Sequence, residues 1–513
     1  MRPPARVVPV LLACACLVAG AASSFGATSS AAAPGGDWTT FGFDNQSSGA
    51  DPAKTGITPR NLKRLRRITV RIPGTVDSSA VELAGVPIRG AGHDVAIMTT
   101  SYGRTLALDI VSGRILWDFA PGSVHRLEGG PQITTASPAV DPDRRYVYVA
   151  SPDGFIHKLA VASGHQIWST SVTDDAGREK IAGGLKIADG ELIVATDGYD
   201  GDAPTYQGHV VTIDPATGRI THVFNTLCSN IHTLIAPPSK CSGSDSAIWG
   251  RPGSVIEPDT GDILVATGNG PFNGHSDWGD SVLELSPSLK LLHNWTPPDQ
   301  AQLNSGDQDL GSTEPALLPF HGGSRLAVQA GKSGVINLLN LRRLDGGAGR
   351  AGPRTGGSLQ RIDAPGTTDV YSQPAVWKSA SGRVYVYVTT NAGTAGYFVT
   401  ASDRLHLAWE NDQAGTSPVV AGGLLYVYNE SQGVLNVLNP VSGHLYRALP
   451  AAGGHWNSPI VVGGRIILPV GDDNDRKLTG EVFIYHLPGA RDARGGDHAR
   501  QSTNGISIFV RAR

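Results

Sequence analysis

The chain has 513 residues and a formal net charge of −3, with 42 basic against 45 acidic side chains. A balance this even leaves no basic field for nucleic acid. Gly and Pro are abundant, at 65 and 34 residues, but they fall between β-rich runs, where they punctuate hairpins and do not mark disorder.

Arg2 and Arg6 precede an apolar stretch from Val7 to Ala22, and small residues fill Ser23 to Ala33. This is the layout of a secretory signal peptide over residues 1–33. A membrane anchor is the competing reading, but the stretch is short for a span of about 20 residues and no stop-transfer pattern follows. Leu11-Leu12-Ala13-Cys14 resembles a lipoprotein site, yet the apolar run continues past Cys14. The expectation is an exported, secreted or extracytoplasmic chain with no transmembrane segment. Trp38 to Thr58 reads as an ordered lead-in lying across one face. A short helical turn follows to Leu65, with Thr58 as N-cap and Pro59 as first helical residue. Residues 65–72 then read as a strand.

From there a small residue, usually followed by proline, opens a short apolar run again and again. These anchors stand at Ser79, Ser137, Gly183, Arg251, Glu314, Gln373, Ser417 and Ser458. Their spacing, roughly 40 to 70 residues, is that of propeller blades with loop insertions. Behind Ser137-Pro138 lie four β-rich runs separated by turn residues, ending in Gln166-Ile167-Trp168-Ser169. A unit of this size cannot bury its apolar face alone and must stack on its neighbours. Residues 34–490 are therefore expected to form one all-β domain, an eight-bladed β-propeller of four-stranded blades, with 491–513 a Gly-rich charged tail. The last repeat supplies three strands. Residues 65–72 are expected to add the fourth and close the ring, with Ile506 to Val510 the competing candidate.

Two of the four cysteines, Cys14 and Cys16, leave with the signal. Cys228 and Cys241 bracket an insertion between the third and fourth blades. In an export context they are expected to form a disulfide; neither has the close spacing of a zinc site.

Ala107-Leu108-Asp109-Ile110-Val111-Ser112-Gly113-Arg114-Ile115-Leu116-Trp117 resembles the tryptophan docking motif, A-x-D-x-x-T-G-x-x-x-W, of the pyrroloquinoline quinone (PQQ) repeat family. The motif decays in later copies, as at Asp214-Pro215-Ala216-Thr217-Gly218, but the resemblance covers nearly the whole chain after the signal. It implies the eight-bladed propeller of quinoprotein alcohol dehydrogenases. It is equally similar to non-catalytic outer-membrane assembly propellers, so fold does not settle function. Trp117, Trp168, Trp295 and Trp409 are expected to wedge between blades, each worth about 3 to 5 kcal/mol in a packed core.

The resemblance also implies a site. Trp249 matches the aromatic floor under PQQ, and Asn269, in Thr267-Gly268-Asn269, matches the calcium-ligating asparagine. Asp307 matches the base, Asp309 offers a further metal oxygen, and Lys332 matches the cation against the quinone oxygens. Such residue types suit the chemistry. A planar anionic quinone needs a platform, a cation and a hard oxygen-ligated ion such as Ca²⁺, and an alcohol or sugar substrate needs a base. The departures are the missing pair of adjacent cysteines and the missing calcium-ligating glutamate, for which Asp200 or Asp202 is the nearest substitute. No C-x-x-C-H occurs to attach haem. Each residue also has a structural reading: Asn269 as a turn former, Asp307 and Asp309 as turn caps, Lys332 as a hairpin tip, and Trp249 as packing. The acidic loops with Asp197, Asp200 and Asp202 and with Asp472, Asp473, Asn474 and Asp475 have oxygens for calcium but not the spacing of an EF-hand, and read as solvated blade tips. Two functions follow. One is an exported binding or scaffold propeller with a degenerate central pocket, taking a small-molecule or protein ligand at the axis face. The other is a PQQ- and calcium-dependent dehydrogenase.

Overall fold

Each of the eight anchors is followed by a strand that opens an antiparallel sheet, and each sheet has the four strands expected of a blade. The computed structural model describes residues 37–199, 205–236, 240–320, 323–344 and 356–489. Blade 1 shows the scheme: Val81–Ile88, Ala91–Thr99, Thr105–Asp109 and Ile115–Phe119, paired in that order. The opening hairpins are tight because the turn residues permit it. Asp189-Gly190, Gly422-Gly423 and Gly463-Gly464 all have positive φ at both positions, the requirement of the two-residue turns that suit strand twist. Second strands such as Leu424–Asn429 are buried along their whole length, because neighbouring blades cover both faces. First strands of several adjacent blades touch one another and so ring the axis.

Blade 8 consists of Ile460–Val462, Arg465–Val470 and Thr479–His486, completed by Arg66–Pro73 from the amino-terminal side. The pairing of Arg66–Pro73 with Thr479–His486 runs over eight residues, from Arg66 opposite His486 to Pro73 opposite Thr479. The strand is thus the expected one, shifted by a single residue. The signal at 1–33, the tail at 491–513 and the competing segment at Ile506 to Val510 lie outside the described residues. No described helix is long and apolar enough to cross a membrane.

The wedge tryptophans follow one construction. Trp117 donates its indole N–H to Val161 O of the next blade at 2.8 Å, and Trp409 does the same to Pro440 O at 2.9 Å. Trp168 reaches Pro215 O at 3.1 Å. Each ring lies on the glycine of the next blade's turn. A Cβ at Gly164, Gly218 or Gly443 would fall 2.4 to 2.8 Å from ring carbons, so the docking motif needs glycine for space as well as for its left-handed backbone. Trp295 is 1% exposed.

The lead-in is ordered, and it does more than cross a face. Trp38 pairs with Glu82 of blade 1, Thr39 O accepts from Val140 N–H of blade 2, and Asn45 O accepts from Ile256 N–H of blade 4. Ser48 O and Gly49 O accept from Val376 and Val420 of blades 6 and 7, and Ala50–Asp51 adds a parallel strand to blade 7. Blade 3 is held through Lys186, whose Nζ lies 2.7 Å from Ser47 Oγ, 2.9 Å from Phe41 O, and 3.2 Å from both Thr40 Oγ1 and Asp44 O. The expected helix is smaller than its sequence suggests. A single 3₁₀ turn spans Leu62–Arg64, and Thr58 is not its N-cap. The side chain of Asn61 accepts from Thr58 N–H at 2.8 Å, and Asn61 and Leu62 donate their N–H groups to Thr58 O, so a turn does begin at Thr58 and the 3₁₀ turn follows it.

Candidate functional site

The lead-in bonds the far ends of the first strands. At their amino ends, on the axis, lies a cavity of about 620 Å³ whose wall draws on residues from blade 3 round to blade 8. Four of the five site residues picked from sequence meet there: Trp249, Asp307, Asp309 and Lys332. Lys332 sits in the turn between Leu326–Gln329 and Val335–Asn340. Its Nζ is 2.6 Å from Asp309 Oδ2 and 3.0 Å from Asp307 Oδ1, and 5.4 Å from the centre of the Trp249 ring. Burial lowers the lysine's tendency to hold a proton, but the two carboxylates outweigh it and raise its pKa. Asp309 is buried and its pKa is raised by desolvation, against the pull of Lys332.

Asn269 is brought to the same place by its backbone. Its N–H donates to Asp309 Oδ1 at 2.5 Å, and its side chain does not line the cavity. Gly268 allows this approach, since a Cβ there would lie 2.6 Å from the same oxygen. Asp309 occupies the N-cap position of the Leu310–Ser312 turn but makes no side-chain capping bond, so its carboxylate serves the cavity and not the turn. Asp200 and Asp202 lie outside the described residues. Nearby, Glu179 is turned away from the axis and pairs with His209 at 3.2 Å inside blade 3. Its neighbour Lys180 faces the cavity instead and pairs with Asp197 at 3.4 Å. Burial pushes Asp197 up to about 6.

The far wall was not picked out from sequence. Tyr371, Trp456 and Trp249 form an aromatic group, with ring centres 5.6 to 6.5 Å apart. Tyr371 donates its hydroxyl to Asp369 at 2.6 Å. His455 Nδ1 is 2.8 Å from Asp77 Oδ2, 3.4 Å from Asp473 Oδ1 and 3.8 Å from Asp472 Oδ1. Although burial lowers its pKa, these carboxylates raise it to about 10. A signal for this wall was present. Trp249, Tyr371, Gly415 and Trp456 each stand two residues before an anchor, and all four line the cavity. The loop at 472–475, read as a solvated tip, instead places Asp473 in the wall, 5% exposed. A second hollow of about 950 Å³ on the lead-in side holds none of the candidate site residues.

Cys228 and Cys241 form the expected disulfide, which ties down the insertion between blades 3 and 4 together with Leu227 and Ile235.

Comparison with known proteins bears on both the fold and the cavity. A family model described as outer membrane protein assembly factor BamB matches residues 79–251. The quinohemoprotein alcohol dehydrogenase ADH IIB of Pseudomonas putida is 26% identical over 280 residues, covering 48% of this chain and 39% of that protein. The relatives are quinoprotein dehydrogenases. This chain therefore spans well under half the length of that dehydrogenase. Among solved structures, the quinohemoprotein alcohol dehydrogenase ADHIIG of Pseudomonas putida matches with a TM-score of 0.66 at 14% identity, over 88% of this chain and 80% of that one. BamB of Moraxella catarrhalis matches at 0.50 and 13% identity, over 82% and 99%. These structural likenesses establish the propeller fold and leave its use open.

Proposed function

We propose that this chain is an extracytoplasmic binding propeller whose axial cavity takes a small, donor-rich ligand of the amino-sugar or polyol kind. In this reading its quinoprotein-type pocket no longer holds PQQ with calcium. The observation that carries the reading is how Asp309 and Lys332 are engaged. Both oxygens of Asp309 are taken, one by Asn269 N–H and one by Lys332. Lys332 is itself bridged by two carboxylates. A calcium ion here would have to displace the Lys332 ammonium from Asp309 Oδ2, and an anionic quinone would have to draw that ammonium away from two carboxylates.

The wall as a whole points the same way. Among the described residues it carries six carboxylates against Lys180, Lys332 and His455, a field that repels an anion and suits donors or a cation. These residues do not fit the quinone and its calcium, and no redox step is derived for them. They fit a ligand whose apolar face stacks on Trp249, Tyr371 and Trp456 while its hydroxyls or ammonium donate to the carboxylates. The Cys228–Cys241 disulfide supports an oxidising compartment outside the cytosol.

The test is reconstitution. PQQ with Ca²⁺ at a hundredfold excess over its dissociation constant would stabilise a binding fold by about 2.7 kcal/mol. The expected result is no melting shift and no retained quinone absorbance. Amino sugars or polyols should quench the fluorescence of Trp249 and Trp456. Dye-linked alcohol oxidation that appears on reconstitution and disappears in Asp307→Ala would overturn the reading. It would support the second one, a dehydrogenase with Asp307 as base, which the meeting of Trp249, Asp307, Asp309 and Lys332 in one cavity favours.

A further inference from the structure

Across the cavity from Lys332, the axis end of blade 8 and the approach to blade 1 meet. His455 comes from the segment before the eighth anchor, Asp472 and Asp473 from the loop after Arg465–Val470, and Asp77 from the segment before the first. One donor atom from each lies within 4.8 Å of the other three. Four ligands about 2.1 Å from an ion at the corners of a tetrahedron stand about 3.4 Å apart. The distances from His455 Nδ1, at 2.8, 3.4 and 3.8 Å, scatter around that edge.

The cluster is more than a group of acids. Asp473 is 5% exposed, yet its Oδ1 accepts no hydrogen bond while facing the imidazole. At 3.4 Å the ring of His455 gives that buried oxygen charge but no hydrogen bond, and a divalent ion in the same space would satisfy it more closely. Asp77 is 1% exposed and is fixed from behind, its Oδ1 accepting from Trp456 N–H at 2.7 Å and its Oδ2 from Asp473 N–H at 3.2 Å. Arg251, the nearby buried cation, spends Nη2 on the carbonyl oxygens of Asp77 and Thr135 and leaves these carboxylates to the cavity side. His455 and Asp473 line the cavity, which gives an ion an entry path.

We infer that Asp77, His455, Asp472 and Asp473 form a binding site for one divalent transition cation. One imidazole nitrogen among carboxylate oxygens is the donor set of Zn²⁺ or Mn²⁺ and is poorer for Ca²⁺, which takes oxygen alone. On binding, the ion displaces the imidazole proton at Nδ1 and takes its place among the three carboxylates. The site is separate from Asp309 and Asn269 and independent of which ligand fills the cavity.

The test uses the full chain stripped with a chelator and then titrated with Zn²⁺ by calorimetry and with Mn²⁺ by electron paramagnetic resonance. One ion per chain is expected, with nitrogen modulation from a single imidazole in the pulsed Mn²⁺ spectrum. Asp473→Asn and Asp472→Asn should each weaken binding about tenfold or more. Asp475→Asn, an exposed neighbour in the same loop, should bind like the parent. Asp472 is only partly buried, so its variant keeps the test open should Asp473→Asn fail to fold. Absence of one-to-one binding by either ion overturns the inference, as does binding that is equal in the parent, Asp472→Asn and His455→Gln.

Discussion

At the scale of single residues, Lys186 shows how this fold uses charge for construction. Its amino group is fully buried and meets four oxygens of the lead-in. Replacing it by a shape-matched apolar residue leaves those oxygens without a donor in a place water does not reach. Lys186→Met should therefore lower stability by about 1 to 3 kcal/mol, measured by denaturant unfolding. A loss below about 1 kcal/mol would mean that the lead-in is held by its backbone bonds alone. Nothing local in the sequence marks this lysine, because its partners lie roughly 140 residues upstream in a segment without regular periodicity. Trp249, Asp307, Asp309 and Lys332 were legible because a motif with fixed neighbours surrounds each of them. Asp77 and His455 were not. They lie 378 positions apart and are brought together by ring closure, which no local pattern encodes.

At the scale of elements, the blade is legible nearly to its boundaries. Small anchors, apolar second strands and glycine turns recur with a period that a folded blade must have, so each copy confirms the others. The closing strand, Arg66–Pro73, was foreseen by counting what the last repeat lacked. The turn that the sequence places after Thr58 is present, but its regular part is only the 3₁₀ turn Leu62–Arg64. The docking turn permits a sharp test. A Cβ on Gly443 would sit 2.4 Å from Trp409, and the backbone there has φ of 68°. Gly443→Ala should cost about 1 to 3 kcal/mol through overpacking and strain. The same change at Gly463, which has positive φ but open space around it, should cost less. Equal melting temperatures for the two variants would show that the indole is not seated as described.

At the scale of the whole molecule, most of each blade's packing is against its neighbours; the lead-in, the closing strand and axis contacts such as Arg251 to Asp77 and Thr135 join blades that are not adjacent. A chain lacking residues 1–73 loses the strand that pairs with Thr479–His486 and leaves that strand as an exposed edge. Such a chain should aggregate and lose cooperative melting, read by size-exclusion chromatography and calorimetry. A monomer with an unchanged melting curve would disprove the closure.

The pairing of Arg66 with His486 joins positions 420 residues apart. This sets an order in time. The strand that finishes the ring is made about 400 residues before its partner and must wait, unpaired, until that partner appears. The lead-in waits as well, since six blades must exist before it can lie across them. The ring therefore cannot close until Thr479–His486 has been made. Until it closes, an early strand and a late one both stand open to the wrong partner. A chain built this way gains from anything that keeps its early strand away from other partners until the late one arrives.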